Sequence, residues 1–200
     1  PRVRRAVLLW LGGRVSAEDR GQQVDAARDG RTSPTLSILI VSWNTRELLG
    51  RCLQALARHP PRVPHDVWVV DNASSDGSAE VVRRRFPHVH LIANDENVGF
   101  AVANNRAADA ARGRLLLLLN SDTEVRAGAV DTLVEEIEGA ASVGIVGARL
   151  MNTDGTLQLS CQHAPSPWRD LVHLWHLDEV LPGPYYPMGR WSLDQARDVD

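Results

Sequence analysis

The residues with the greatest chemical capacity in this chain follow directly on its most apolar run. Leu115 to Leu119 are five consecutive leucines, and LLLLLNSDTEV continues into Asn120, Ser121, Asp122 and Glu124. Five leucines read as a strand covered on both faces. A cap or turn at its end would use one polar residue, whereas an amide, a hydroxyl and two carboxylates together are hard oxygen ligands of the kind Mg²⁺ or Mn²⁺ takes. Two further polar stretches lie upstream. DNASSDGS (71–78) is, taken alone, a strand-to-helix turn rich in capping residues. NVGFAVANN (97–105) is an ordinary loop-to-helix junction unless Asn104 and Asn105 have a use, since paired amides lower the propensity of an alanine-rich helix.

These groups need elements to carry them, and from Thr35 the punctuation is regular. LSILIVSW (36–43) is a short β-rich apolar run, and the helix-like NTRELLGRCLQALARH follows it. That helix sets Leu49, Cys52, Leu53 and Leu56 on one face, with Asn44 or Thr45 as N-cap. DVWVVD (66–71) is the second strand, and the helix after it places Ala79, Val82 and Phe86 on one side. VHLIAN (89–94), an alanine-rich helix closed at Gly113, RLLLLLN, a helix carrying Val130, Leu133, Val134 and Ile137, and the strand VGIVGARL (143–150) complete the alternation. Such an order predicts an α/β fold with a mostly parallel sheet flanked by helices. Ligands of these sheets bind outside the carboxyl ends of the strands. Ser42, Trp43, Asn44, Asp71, Asn72, Ser74, Asp76, Asn94, Glu96, Asn120, Ser121, Asp122 and Glu124 are therefore expected along one edge, in a crevice suited to a base and ribose.

Composition narrows the chemistry. The 200 residues carry a net charge of −3, so no overall field favours nucleic acid. Every one of the 22 basic residues is Arg, which removes any P-loop lysine, Schiff-base lysine or lysine base. Without lysine or a phosphate-cradling glycine loop, a bound diphosphate needs positive charge from elsewhere, and a divalent cation at Asp122 would supply it. Cys52 and Cys161 make no metal-ligand spacing and fit a reducing compartment. No apolar run is long enough to cross a bilayer. The start, PRVRRAVLLWLGGRV, has a basic front and a short apolar run, but residues 1–34 lack a convincing cleavage site and are expected to form an amphipathic helix or a loosely ordered extension. His163, His173, His176 and Asp178 have loosely metal-like spacing without matching ligands and are assigned no role.

The order ILIVSWN, VVDNASSDGS, NVGFAVANN, LLLLLNSD, VGIVGARLMNTDGTLQLS resembles the nucleotide-diphospho-sugar-binding half of family 2 glycosyltransferases with the GT-A (Rossmann-like) fold, most closely the bacterial rhamnosyltransferase-like branch. The resemblance covers about residues 35–160. It implies an inverting, metal-dependent transfer of a sugar, rhamnose in that branch, from a dTDP- or UDP-sugar to a glycan or lipid-linked acceptor. Residues 41–44, with Ser42, Trp43 and Asn44, and Asp71 with Asn72 would hold the nucleoside. Asn97, Gly99, Phe100 and Asn105 would line the crevice. Asn120, Ser121 and Asp122 stand where the family has its Asp-x-Asp motif, with Asn120 in place of the first acid and Asp122 as the metal ligand. Asp154 and Gly155 form a hairpin turn, with Gln158 toward the sugar. Residues 35–161 would be the nucleotide-sugar domain and 162–200 the start of an acceptor-side region. The family's Glu-Asp pair, which supplies the base, has no match in this sequence. The fold is thus expected to be incomplete on its C-terminal side, the catalytic residues are unassigned, and Asp194, Asp198 and Asp200 read as a solvated tail. The resemblance further implies a cytoplasmic site at the inner membrane face with peripheral association. A non-catalytic nucleotide-sugar-binding module is the competing reading. An unrelated dinucleotide or receiver domain is disfavoured, because no G-x-G-x-x-G follows the first strand and a receiver's lysine is absent.

Overall fold

The computed structural model describes residues 7–10, 34–139, 143–158 and 174–175. The chain divides into two units, 1–148 and 149–200. In the first, β1 (Val7–Trp10), β2 (Leu36–Ser42), α1 (Arg46–Arg58), β3 (His65–Asp71), α2 (Ser78–Arg85), β4 (His90–Ala93), α3 (Phe100–Ala110), β5 (Leu115–Asn120), α4 (Ala129–Gly139) and β6 (Ile145–Gly147) follow in order. The sheet runs β4-β3-β2-β5-β1-β6. β4, β3, β2 and β5 are mutually parallel, as the strand–helix alternation predicts.

Strand geometry sends successive side chains to opposite faces, and the two faces have different cores. Leu36, Ile38, Ile40, Val67, Val69, Leu115, Leu117 and Leu119 pack with Leu49, Cys52, Leu53 and Leu56 of α1, Val82 of α2, Phe86, and Val130, Leu133, Val134 and Ile137 of α4. The opposite face is thinner. There Leu39, Val70 and Leu116 meet Ala103 and Ala107 of α3, whose small side chains suit close helix-to-sheet packing. The leucine run is therefore not uniform: its members alternate between two cores, three on the first and Leu116 and Leu118 on the second.

Three expectations need correction. Val7–Trp10 is a strand, not a helix or a loose extension, and pairs antiparallel with β5 and β6. Its four residues match the open flank of β5, whose backbone groups would otherwise form an unpaired edge. The strand expected over 143–150 is two: Ile145–Gly147 joins the large sheet, while β7 (Leu150–Met151) pairs antiparallel with β8 (Leu157–Gln158) in the second unit. That hairpin turns at Asp154 and Gly155 as the sequence predicts, with Gly155 at φ 82° and the Thr156 N–H donating to Asp154 Oδ1 at 2.9 Å. Gly113 does not cap a helix, since α3 closes at Ala111 in extended backbone. Its N–H donates to the buried Ser37 Oγ at 2.9 Å, and a Cβ there would lie 2.4 Å from the Ser37 nitrogen. Backbone approaches backbone, so only glycine fits. Gly113→Ala is expected to lower stability by about 1–3 kcal/mol through overpacking, read as a reduced midpoint in urea denaturation. The residues 161, 163, 173, 176, 178, 194, 198 and 200 lie outside the described residues.

Candidate functional site

Register decides which groups share the rim. Ser42 stands opposite Asp71, and Val41 opposite Asn120, so β2, β3 and β5 end at nearly one level. At ordinary inter-strand spacing Asp71 and Asn120 are about 10 Å apart across β2. Asp122 is two residues further along the same edge, in a turn closed by the Thr123 N–H donating to the Asn120 carbonyl at 3.0 Å. Asp71 and Asp122 thus belong to one C-terminal rim.

The loops leaving β2 and β3 are latched together. Asn44 has a positive φ of 51°, and its Oδ1 accepts from the Ser75 N–H at 2.8 Å while its own N–H donates to Ser74 Oγ at 2.9 Å. Ala73, at φ 58°, holds the other loop in a conformation uncommon for residues other than glycine. Thr45 precedes α1 but does not cap it with its side chain. That task passes to Asp76, whose Oδ2 accepts from the Arg46 N–H at 2.8 Å and whose Oδ1 accepts from the Ser78 N–H and hydroxyl at 2.9 and 2.6 Å. One carboxylate therefore serves the first turns of both α1 and α2.

Thr45 is thereby released for a hydroxyl chain across the rim. Its Oγ1 donates to Ser121 Oγ at 3.1 Å, which leaves Ser42 Oγ as the donor in the 2.8 Å contact between Ser42 and Thr45. An amide chain occupies the other side. The Arg106 guanidinium donates to Asn94 Oδ1 at 2.6 Å, Asn94 Nδ2 to Asn72 Oδ1 at 2.8 Å, and Asn72 Nδ2 to the Gly99 carbonyl at 3.3 Å. Gly99, at φ 82° and ψ 167°, adopts backbone open essentially to glycine alone, and its N–H donates to Asn97 Oδ1 at 2.9 Å. Asn44, Asn72 and Asn97 consequently spend side-chain bonds on shaping loops. Asn104 is buried and donates back to the Phe100 carbonyl, whereas Asn105 is exposed.

What the rim offers a ligand is then specific. Asp71 is 3% exposed, its Oδ2 accepts from the Ser74 N–H at 3.0 Å, and its Oδ1 receives no hydrogen bond among the described residues. Asp66 Oδ1 shares that condition at the opposite strand end, so position rather than the open oxygen alone marks Asp71. Trp43 and Phe100 are 56% and 57% exposed, large aromatic faces in the loop after β2 and at the start of α3. Thr45 and Arg106 were not legible as site residues, because both act through contacts that only the folded loops create.

The turn after β5 is acidic. Burial, with the charges of Asp122 and then Glu124, pushes the Cys52 thiol up to about 12, so the thiol is inert and both carboxylates lie near it. Arg51 offsets Glu124 at 3.5 Å. No cluster of three or more His, Cys, Asp or Glu able to hold a metal occurs among the described residues. Asp122 and Glu124 are hard oxygen donors, the type taken by Mg²⁺ or Mn²⁺, cations that bind proteins through one or two carboxylates and complete their shell with substrate phosphate and water.

Asp76 generates a test. Burial acts to raise its carboxyl, but hydrogen bonds from the Ser78 hydroxyl and the Arg46 and Ser78 N–H groups outweigh that and hold it below its ordinary value. A lowered folded value means the stabilisation is complete above the unfolded carboxyl value of about 3.9 and fades as pH falls through the lower folded one. Asp76→Ala is expected to cost about 1–2 kcal/mol at pH 7, with the gap to the parent narrowing below about pH 4, measured by denaturant titration across pH.

Against known proteins, the model of the family described as Glycosyl transferase family 2 matches residues 37–183. The chain is 26% identical over 168 residues to the N-acetylglucosaminyl-diphospho-decaprenol L-rhamnosyltransferase of Mycobacterium tuberculosis, covering 78% of this chain and 52% of that protein. It is 28% identical over 137 residues to the putative teichuronic acid biosynthesis glycosyltransferase TuaG of Bacillus subtilis, covering 66% of this chain and 54% of that one. The chain spans about half the length of these curated relatives. Among solved structures, the mannosyltransferase PcManGT from Pyrobaculum calidifontis in complex with GDP-Man and Mn2+ is similar at 24% identity and TM-score 0.47, over 58% of this chain and 39% of its own. With a family model matching well over half of its length, the chain belongs to glycosyltransferase family 2.

Proposed function

We propose that this chain forms the nucleotide-sugar-binding part of an inverting glycosyltransferase that moves a sugar, rhamnose by its likeness to the mycobacterial relative, from a nucleoside-diphosphate donor to a glycan or lipid-linked acceptor. The observation that carries the reading is the open Oδ1 of buried Asp71 at the C-terminal rim. A buried carboxylate oxygen without a donor is costly, and a ring imide N–H of uracil or thymine is a donor of the right kind. Trp43 and Phe100 offer faces on which a base can stack, and Ser42 and Ser121 bring hydroxyls to the same edge.

Asp122, with Asn120 and Ser121 beside it, would hold the divalent metal, which supplies positive charge to the leaving diphosphate when bound. The chain's own work is to orient. Asp71 fixes the base, the latched loops at Asn44 and Ser75 fix the floor beneath it, and the segment Asn97 to Phe100 with Asn105 borders the sugar. Proton removal from the acceptor is assigned to no residue of this sequence. A lipid-linked acceptor would bring the protein to the inner membrane face as a peripheral component. Among the described residues no helix is long and apolar enough to cross a membrane.

Calorimetric titration with dTDP and UDP, with and without Mn²⁺, tests this. Binding of either nucleotide is expected, with Asp71→Asn weakening it about tenfold or more and Asp122→Asn abolishing its Mn²⁺ dependence. Metal-independent binding of NAD with no binding of dTDP or UDP would overturn the assignment.

A further inference from the structure

We infer that Arg106 is a positioning residue for the donor crevice, acting through Asn94 and Asn72 on the Gly99 carbonyl; the inference rests on the nucleotide-sugar reading of the rim. The chain Arg106–Asn94–Asn72–Gly99 comprises bonds of 2.6, 2.8 and 3.3 Å. Its ends give it direction. A guanidinium can only donate and a carbonyl can only accept, so each amide between them has one orientation that satisfies the whole chain. Arg106 turns Asn94 Oδ1 toward itself, which presents Asn94 Nδ2 to Asn72, which in turn presents Asn72 Nδ2 to Gly99. Without the charged donor at its head, Asn94 Oδ1 loses the partner that holds it, and only the Gly99 carbonyl is left to set the order of the chain.

The geometry ties this chain to the rim at both levels. The Asn94 N–H donates to the Asp71 carbonyl at 2.9 Å, and the Asn72 N–H donates to the Ser42 carbonyl at 2.8 Å. The two amides thus sit on the backbone that carries the buried Asp71 carboxylate. The far end holds Gly99 in its glycine-only conformation immediately before exposed Phe100. Arg106 lies about two turns along α3, so the helix reaches back through the residues that follow β4 and β3 to fasten Gly99, just before its own start. Arg106 is exposed and forms no ion pair among the described residues, and the side-chain bond it makes there is the one that heads this relay. Removal should leave the core of α3, Ala103 and Ala107, in place.

The experiment uses the full 200-residue chain and two readouts. In the free protein, side-chain amide resonances of Asn72 and Asn94 are followed by NMR for the parent, Arg106→Met and Arg106→Lys, with hydrogen exchange at Phe100 to Ala103. In the second arm, dTDP and UDP affinities are measured for the same proteins. Arg106→Met is expected to shift and broaden both amide signals, to speed exchange at the start of α3 and to weaken nucleotide binding about tenfold; Arg106→Lys, which keeps a charged donor, should restore affinity to within about threefold. Amide signals unchanged in Arg106→Met overturn the relay itself. Perturbed amides with unchanged affinity overturn its role in the crevice. A parent chain with ordered amides that binds neither nucleotide overturns the nucleotide reading and, with it, the donor side of this inference.

Discussion

Parallel pairing of β2 with both of its neighbours is the constraint from which the rim follows. Were β2 shifted by one residue against β3, the pleat would exchange its faces and Ser42 would lose its level with Asp71. Burial forbids that slip, because Leu36, Ile38 and Ile40 on one side and Leu39 on the other are enclosed by different helices. Apolar packing within the sheet therefore fixes the height at which polar groups emerge from it. The rim is an outcome of the core, and the loops refine what the core has already placed.

That refinement is made of directional bonds between segments distant in sequence. Asp76 accepts from the starts of two helices, Asn44 spans two loops, and Thr45 joins Ser42 to Ser121. Most of the rim's amides and hydroxyls are engaged with one another, so the edge is preorganised and loses little freedom on meeting a ligand. The strain at Asn44, Ala73 and Gly99 belongs to the same arrangement. Uncommon backbone at three successive loops survives because neighbouring bonds over-determine it.

Much of this was legible from residue order. Helical spacing of Leu49, Cys52, Leu53 and Leu56 placed α1, and the strand ends named the rim, since connectivity alone puts parallel strands in one sense. Five identical leucines carried no alternation, so their division between two faces became visible only with neighbours present. Thr45 reads as a cap by type, yet its hydroxyl points its bond elsewhere because a carboxylate from another loop had taken the capping position. Arg106 had no signature, as nothing in an alanine-rich helix marks which arginine will meet an asparagine twelve residues back. Val7–Trp10 was misread for a similar reason. A four-residue apolar run has no period long enough to favour strand over helix, and its strand partners lie far along the chain.

The position of β1 has a kinetic side. Three helices and three strands lie between it and β5 along the chain, and in the sheet it separates β5 from β6. Pairing with strands so distant in sequence makes this segment a high-separation closure, of the sort that slows folding. Both partners of β1 lie far along the chain, so one flank of the parallel strands is covered only by a long-range pairing.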